Sequence, residues 1–140
     1  PTRRAARKKP AILMIEDDVF SLHLVAHALR DEAEVHLASN ARQGLLAYLK
    51  TAPDIVFLDI NMPGLSGLDI LREFFSVDPA AYIVMLSGNG NRDNVMGAMT
   101  GGAKGFISKP FTLDKIKDYM ARCPHIQNKR LTQKEMDYAR

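Results

Sequence analysis

The stretch Ile55-Val56-Phe57-Leu58-Asp59-Ile60-Asn61-Met62-Pro63-Gly64 (IVFLDINMPG) decides the fold. Its four consecutive apolar residues read as a buried strand, and an aspartate stands where that strand stops. Pro63 and Gly64 then mark a loop. A carboxylate at such an edge is costly to desolvate unless something pairs with it.

The flanking sequence repeats the arrangement. AILMI (11–15) is another apolar run, followed by VFSLHLVAHALRDE (19–32), where Leu22, Val25, Ala26 and Leu29 share one helical face. EVHLA (34–38) is a short strand candidate, and ARQGLLAYLK (41–50) returns to helical spacing through Ala41, Leu45, Tyr48 and Leu49. After the central run (54–59) come a loop with Pro63, Gly64 and Gly67 and the helical segment LDILREFFSV (68–77). AYIVMLS (81–87) precedes GNGN and a helix from Arg92 to Thr100. GFIS (105–108) precedes Lys109-Pro110 and a last helix over 112–122, with Leu113, Ile116 and Met120 in register.

Strand–helix units whose strands are near-continuous apolar runs predict a parallel sheet covered by helices on both faces. Right-handed crossovers then place every strand's carboxyl end along one edge. The expected architecture is α/β: a flavodoxin-like, doubly wound, five-stranded parallel sheet of order 2-1-3-4-5 with five flanking helices.

A chain of 140 residues is one domain large enough to bury a real core. No apolar run approaches the length that crosses a bilayer, so no membrane partner is expected. The basic start PTRRAARKKP is not followed by a signal-peptide pattern, because acidic residues arrive at Glu16. The single cysteine, Cys123, rules out an internal disulfide framework and argues against a cysteine metal cluster. A cytoplasmic location is expected.

The net charge of +3 is unevenly spread: residues 1–10 carry +5, residues 122–140 carry +3 and residues 11–121 carry −5. The expected organisation is a basic, disordered arm over 1–10, a folded domain over 11–121, and a tail or the start of a linker helix over 122–140. Thr132 and Glu135 have capping-box spacing for a short helix in that tail. Basic ends could touch phosphate backbones. No helix-turn-helix follows residue 121, so no nucleic acid is expected to bind through the folded domain.

In open α/β sheets, ligands bind beyond the carboxyl ends of the strands. Those ends carry Glu16-Asp17-Asp18, Asp59, Ser87 and Lys109. An acidic triplet after a strand reads, taken alone, as helix capping. Asp59 on the neighbouring strand changes that reading, because several carboxylates at one edge repel one another and a hard divalent cation such as Mg²⁺ resolves the conflict. Lys109 supplies a positive charge on the other side, and Ser87 a hydroxyl for an oxyanion. A metal, a lysine and a hydroxyl around one aspartate suit phosphoryl transfer, with Asp59 as the attacking carboxylate.

Two rivals fit less well. A nucleotide- or flavin-binding domain needs a Gly/Ser/Thr-rich phosphate loop after the first strand, where this chain has IEDDVF. A haloacid-dehalogenase-type phosphatase carries its nucleophile after the first strand with an acid two residues on, and here that position is Asn61. No turnover of an external substrate is expected.

The set IEDD, FLDINMPGLSG, VMLSG and GFISKPF, in this order and spacing, resembles the receiver (CheY-like) domain of two-component response regulators over residues 11–121. The resemblance implies that Asp59 accepts a phosphoryl group from a sensor histidine kinase or a histidine phosphotransfer protein in a Mg²⁺-dependent reaction. It implies metal ligation by Glu16, Asp17, Asp59 and the backbone carbonyl of Asn61, with Asp18 as a helix cap. It implies that Lys109 pairs with the phosphoryl group, that a cis bond leads into Pro110, and that Ser87 and Phe106 form a switch. That switch would repack the surface of the fourth helix, fifth strand and fifth helix toward a partner or output domain, with homodimerisation on phosphorylation as one outcome. Glu16 stands where aspartate is commoner, Ser87 where threonine is frequent and Phe106 where tyrosine is frequent. Asn61 and Asn89 hold positions that tune dephosphorylation in the family. The alternative is a non-phosphorylated pseudo-receiver acting as a protein-interaction module.

Other residues have plainer readings. His23 and His27, at i, i+4, lack a third ligand and read as exposed helix residues. Met96 and Met99 read first as core packing, with an adaptable partner surface as the alternative. Cys123 reads as a packing or semi-exposed thiol.

Overall fold

The computed structural model describes residue 4 and residues 7–62, 67–88 and 92–129. Its elements alternate from β1 (Ala11–Ile15) and α1 (Val19–Leu29) to β2 (Glu34–Ala38) and α2 (Ala41–Thr51). Then follow β3 (Ile55–Asp59), α3 (Gly67–Val77), β4 (Ile83–Ser87), α4 (Arg92–Thr100), β5 (Gly105–Ser108) and α5 (Leu113–Arg122). A short further helix, α6, covers 124–129. The strands form one parallel sheet of order β2-β1-β3-β4-β5, the predicted doubly wound architecture.

Successive strand residues point to opposite faces, and the apolar runs supply a core to each. Leu13, Ile15, Val56, Leu58, Ile83 and Met85 face one way, against Tyr48, Ile70, Leu71 and Phe74. Ile12, Met14, Ile55, Phe57, Val84 and Leu86 face the other, against Leu22, Val25, Leu29, Ile116 and Met120. In β1, β3 and β4 every residue is buried, which is why these strands show no polar alternation.

The differences from the sequence reading are local. The first helix ends near Leu29 instead of continuing to residue 32, because the Glu32 and Ala33 N–H groups turn back onto the Leu29 carbonyl. β4 begins at Ile83, since the Ala81 N–H is taken by Asp78 in a turn. Leu49 is half exposed rather than core, while Gly44 is buried so that α2 can approach Ile15; a Cβ there would lie 2.5 Å from Ile15 Cδ1. Met96 and Met99 are 56% and 47% exposed, which corrects the core reading. Glycines let α4 and the turn after it lie close to α3: Gly97 meets Leu68, Gly101 meets Leu71, and Gly102 (φ 107°) meets Phe75.

The N-terminal arm also departs from the expectation of a solvated segment at two residues: Arg4 and Arg7 are bonded into the base of the sheet. The predicted capping pair Thr132 and Glu135, and also Asn89, Pro63 and Gly64, lie outside the described residues. Among the described residues no helix is long and apolar enough to cross a membrane.

Candidate functional site

Glu16 follows β1, Asp59 ends β3, Ser87 ends β4 and Lys109 follows β5, so the parallel sheet brings all four to one edge. Glu16, Asp59 and Ser87 are at most 2% exposed. Glu16, Asp17 and Asp59 each offer a carboxylate oxygen, all within 4.8 Å of one another. Asp17 is exposed, which leaves the cluster open to solvent on that side. Asp18 turns away and caps α1: its carboxylate accepts the Phe20 N–H at 3.2 Å and the Ser21 hydroxyl at 2.7 Å.

Lys109 lies across the buried pair. Its Nζ donates to both Glu16 oxygens at 2.7 Å and to Asp59 Oδ2 at 2.9 Å. The Lys109–Pro110 bond is cis. The Lys109 N–H donates to the Ser87 carbonyl at 2.7 Å, which fixes the base of the lysine to the end of β4. Asp59 Oδ1 accepts the Asn61 N–H at 2.9 Å.

The two buried carboxylates titrate in opposite directions. Burial and the neighbouring Asp59 push Glu16 up to about 7, against the pull of Lys109. Burial also acts on Asp59, but hydrogen bonds from Glu16, Lys109 and the Asn61 backbone outweigh it and hold Asp59 below its usual range. Lys109 is held above its usual value, the bonds to both carboxylates outweighing its burial. Two acids in contact that divide in this way leave one ionised while the other takes the proton.

Two contacts have no counterpart in the sequence reading. The Asn61 side chain donates to Ser87 Oγ at 3.3 Å, joining the loop after β3 to the end of β4. On β5, an edge strand, the Tyr119 hydroxyl accepts the Phe106 N–H at 3.3 Å and donates to the Phe106 carbonyl at 3.4 Å. Phe106 itself is half-buried against the core on the α2–α3 side. Strand neighbours can be inferred from topology, but side-chain partners across them depend on register, and here Asp59 sits beside Leu86.

The donor set suits a hard divalent cation: carboxylate oxygens, partly open to water, with a lysine limiting the surplus negative charge. Glu16, Asp17 and Asp59 are the residues that would hold it.

Comparison with known proteins agrees with this geometry. Residues 12–121 match the response regulator receiver domain model. The chain is 33% identical to the chemotaxis protein CheY of Listeria monocytogenes over 114 residues, covering 79% of this chain and 95% of the relative. The structure superposes on a response regulator receiver domain protein from Clostridium thermocellum with a TM-score of 0.78 and 33% identity, over 88% of this chain and 98% of that one. It also superposes on the receiver domain of NtrX from Brucella abortus with a TM-score of 0.74 and 38% identity, over 83% and 98%. With its sheet order, its edge of carboxylates and its matched span all in agreement, the chain belongs to the receiver-domain family of two-component response regulators.

Proposed function

We propose that Asp59 is the phosphoacceptor, taking a phosphoryl group from the phosphohistidine of a sensor kinase or phosphotransfer protein. A single observation carries the reading: Asp59 ends the central strand beside Glu16 and Asp17, buried, with Lys109 Nζ 2.9 Å from Oδ2 and the Asn61 N–H 2.9 Å from Oδ1. An Asp59 oxygen attacks phosphorus; the new P–O bond forms as the P–N bond breaks, and the imidazole leaves with its proton. Bound Mg²⁺ supplies charge neutralisation for phosphoryl oxygens. Lys109 pairs with a further oxygen, exchanging part of its bonding to Glu16 for the incoming anion. The role is that of a signalling acceptor that acts on itself, with no external substrate turned over.

Phosphorylation adds nearly two negative charges beside Ser87. The Ser87 hydroxyl, which accepts from Asn61 in this state, can turn to donate to a phosphoryl oxygen. That movement makes room for Phe106 to rotate further into the core it already borders. The exposed Met96 and Met99 on α4 would then be the adaptable part of the surface a downstream partner reads. Beside the site, Val19, Phe20 and Leu24 expose apolar area on α1 and suit a helix of the phosphodonor protein.

The experiment is phosphoryl labelling by acetyl phosphate with Mg²⁺, read by intact mass. One phosphoryl group is expected on the folded protein and none on Asp59→Asn. A folded wild-type protein that takes no label would refute the proposal and leave the pseudo-receiver reading.

A further inference from the structure

At the end of the sheet remote from Asp59, the α2–β3 connection builds a notch of negative charge. α2 ends at Thr51 and α3 at Val77, so two helix C-termini contribute there. Ala52, in the left-handed region at φ 44°, turns the chain so that consecutive carbonyls line the notch. Asp54 is fully buried, and Asp78 follows α3. Asp54 Oδ2 accepts the Ala11 N–H at 2.8 Å, whereas Oδ1 is buried, has no hydrogen-bond donor among the described residues and lies 3.9 Å from Arg4 Nε and 3.5 Å from Lys129 Nζ.

Two arginines fill this notch. Arg4 donates to the Pro53 carbonyl at 3.0 Å and to Asp78 at 3.0 Å, and also to the Tyr48 hydroxyl, which in turn donates to Asp78 at 2.6 Å. Arg7 donates to the carbonyls of Thr51 and Ala52 and lies 3.5 Å from Asp54. From α6, Lys129 Nζ lies 3.5 Å from Asp54 and donates to the backbone carbonyls of Arg4 and Arg7. Exposed ion pairs contribute little, but these side chains are only 11%, 16% and 8% exposed. A planar fork matches paired carbonyls and carboxylates in a way an ammonium cannot. Consistent with that, Lys8 and Lys9, in the same arm, stay exposed.

We propose that this notch is a binding site for an arginine-pair peptide, filled in cis by Arg4 and Arg7, and that the seated arm clasps α6 through Lys129. The clasp is independent of the chemistry at Asp59, which lies at the other end of β3, about 16 Å away by strand rise.

The test is hydrogen exchange on the full chain, read by mass spectrometry over 122–129 and over β3. Arg4→Ala/Arg7→Ala is expected to speed exchange in 122–129 by about tenfold or more, while Lys8→Ala/Lys9→Ala leaves it unchanged. Wild-type protection of 122–129 in the arginine variant, or an equal loss in both variants, overturns the proposal. If the alanine pair unfolds throughout, Arg4→Lys/Arg7→Lys decides. It keeps the charge but not the fork, so faster exchange confined to 122–129 supports the clasp and wild-type exchange refutes it. Acetyl phosphate labelling of each folded variant separates this outcome from any failure at Asp59.

Discussion

Replacing Glu16 with glutamine should stabilise the metal-free protein above neutral pH, an unusual result for loss of a salt-bridged residue. Glu16 titrates near 7 in the folded protein against 4.5 for an unperturbed carboxyl. Between those values the folded state holds a proton that the unfolded chain releases, so stability falls as pH rises through that window. Asp59 has the opposite sign, but its contribution is lost only as pH falls below the ordinary value of 3.8, outside the window. Lys109, raised above 10.5, contributes stability that is fully present throughout the window. At about 1.4 kcal/mol per unit, the Glu16 rise corresponds to a ceiling of about 3 kcal/mol. Urea unfolding in the presence of a chelator, at pH 5 and pH 8, measures it. The stability of Glu16→Gln relative to wild type should grow by up to about 3 kcal/mol across that interval. Adding Mg²⁺ at pH 8 should recover wild type much more than the variant. A difference between the two proteins that stays flat, or shrinks as pH rises, would refute the reasoning.

Lys109→Met should leave the Glu16–Asp59 pair without its cation, reducing the phosphorylated fraction at fixed acetyl phosphate and moving the Glu16 titration higher, followed by carboxyl chemical shifts. Phe20→Asp, at a side chain 76% exposed, should change stability by no more than about 0.5 kcal/mol. It should slow transfer from a phosphohistidine protein while acetyl phosphate labelling stays as in wild type. Gly44→Ala should lower unfolding stability by about 1–3 kcal/mol, since the new methyl group would press on Ile15 in a closed core.

The sheet was legible because β1, β3 and β4 are buried on both faces and therefore read as unbroken apolar runs. Once the strands were parallel, Glu16, Asp59, Ser87 and Lys109 had to meet at one edge, and they do. What stayed hidden depends on side chains choosing among several partners. Lys109 could have paired with Asp59 alone, and its stronger bonding to Glu16 follows from distances that no spacing rule encodes. The seating of Arg4 and Arg7 was hidden for a related reason. A run of basic residues looks the same whether it is solvated or seated, and the notch that seats it is assembled from α2, α3 and the segment before β3. Met96 and Met99 share a helical face in the sequence, yet Gly97 in α4 and the glycines just after it lie against α3, and both methionines stay outside.

Those glycines have a mechanical consequence. Helices usually pack by interlocking side chains, and moving one past another means lifting each ridge out of its groove. Gly97 presents bare backbone to Leu68, as does Gly101 to Leu71, so along these rows α3 meets a smooth track instead of a ratchet. The α3–α4 contact therefore has few interlocking ridges along these rows, and the proposed phosphorylation would act on a helix held there by close backbone approach.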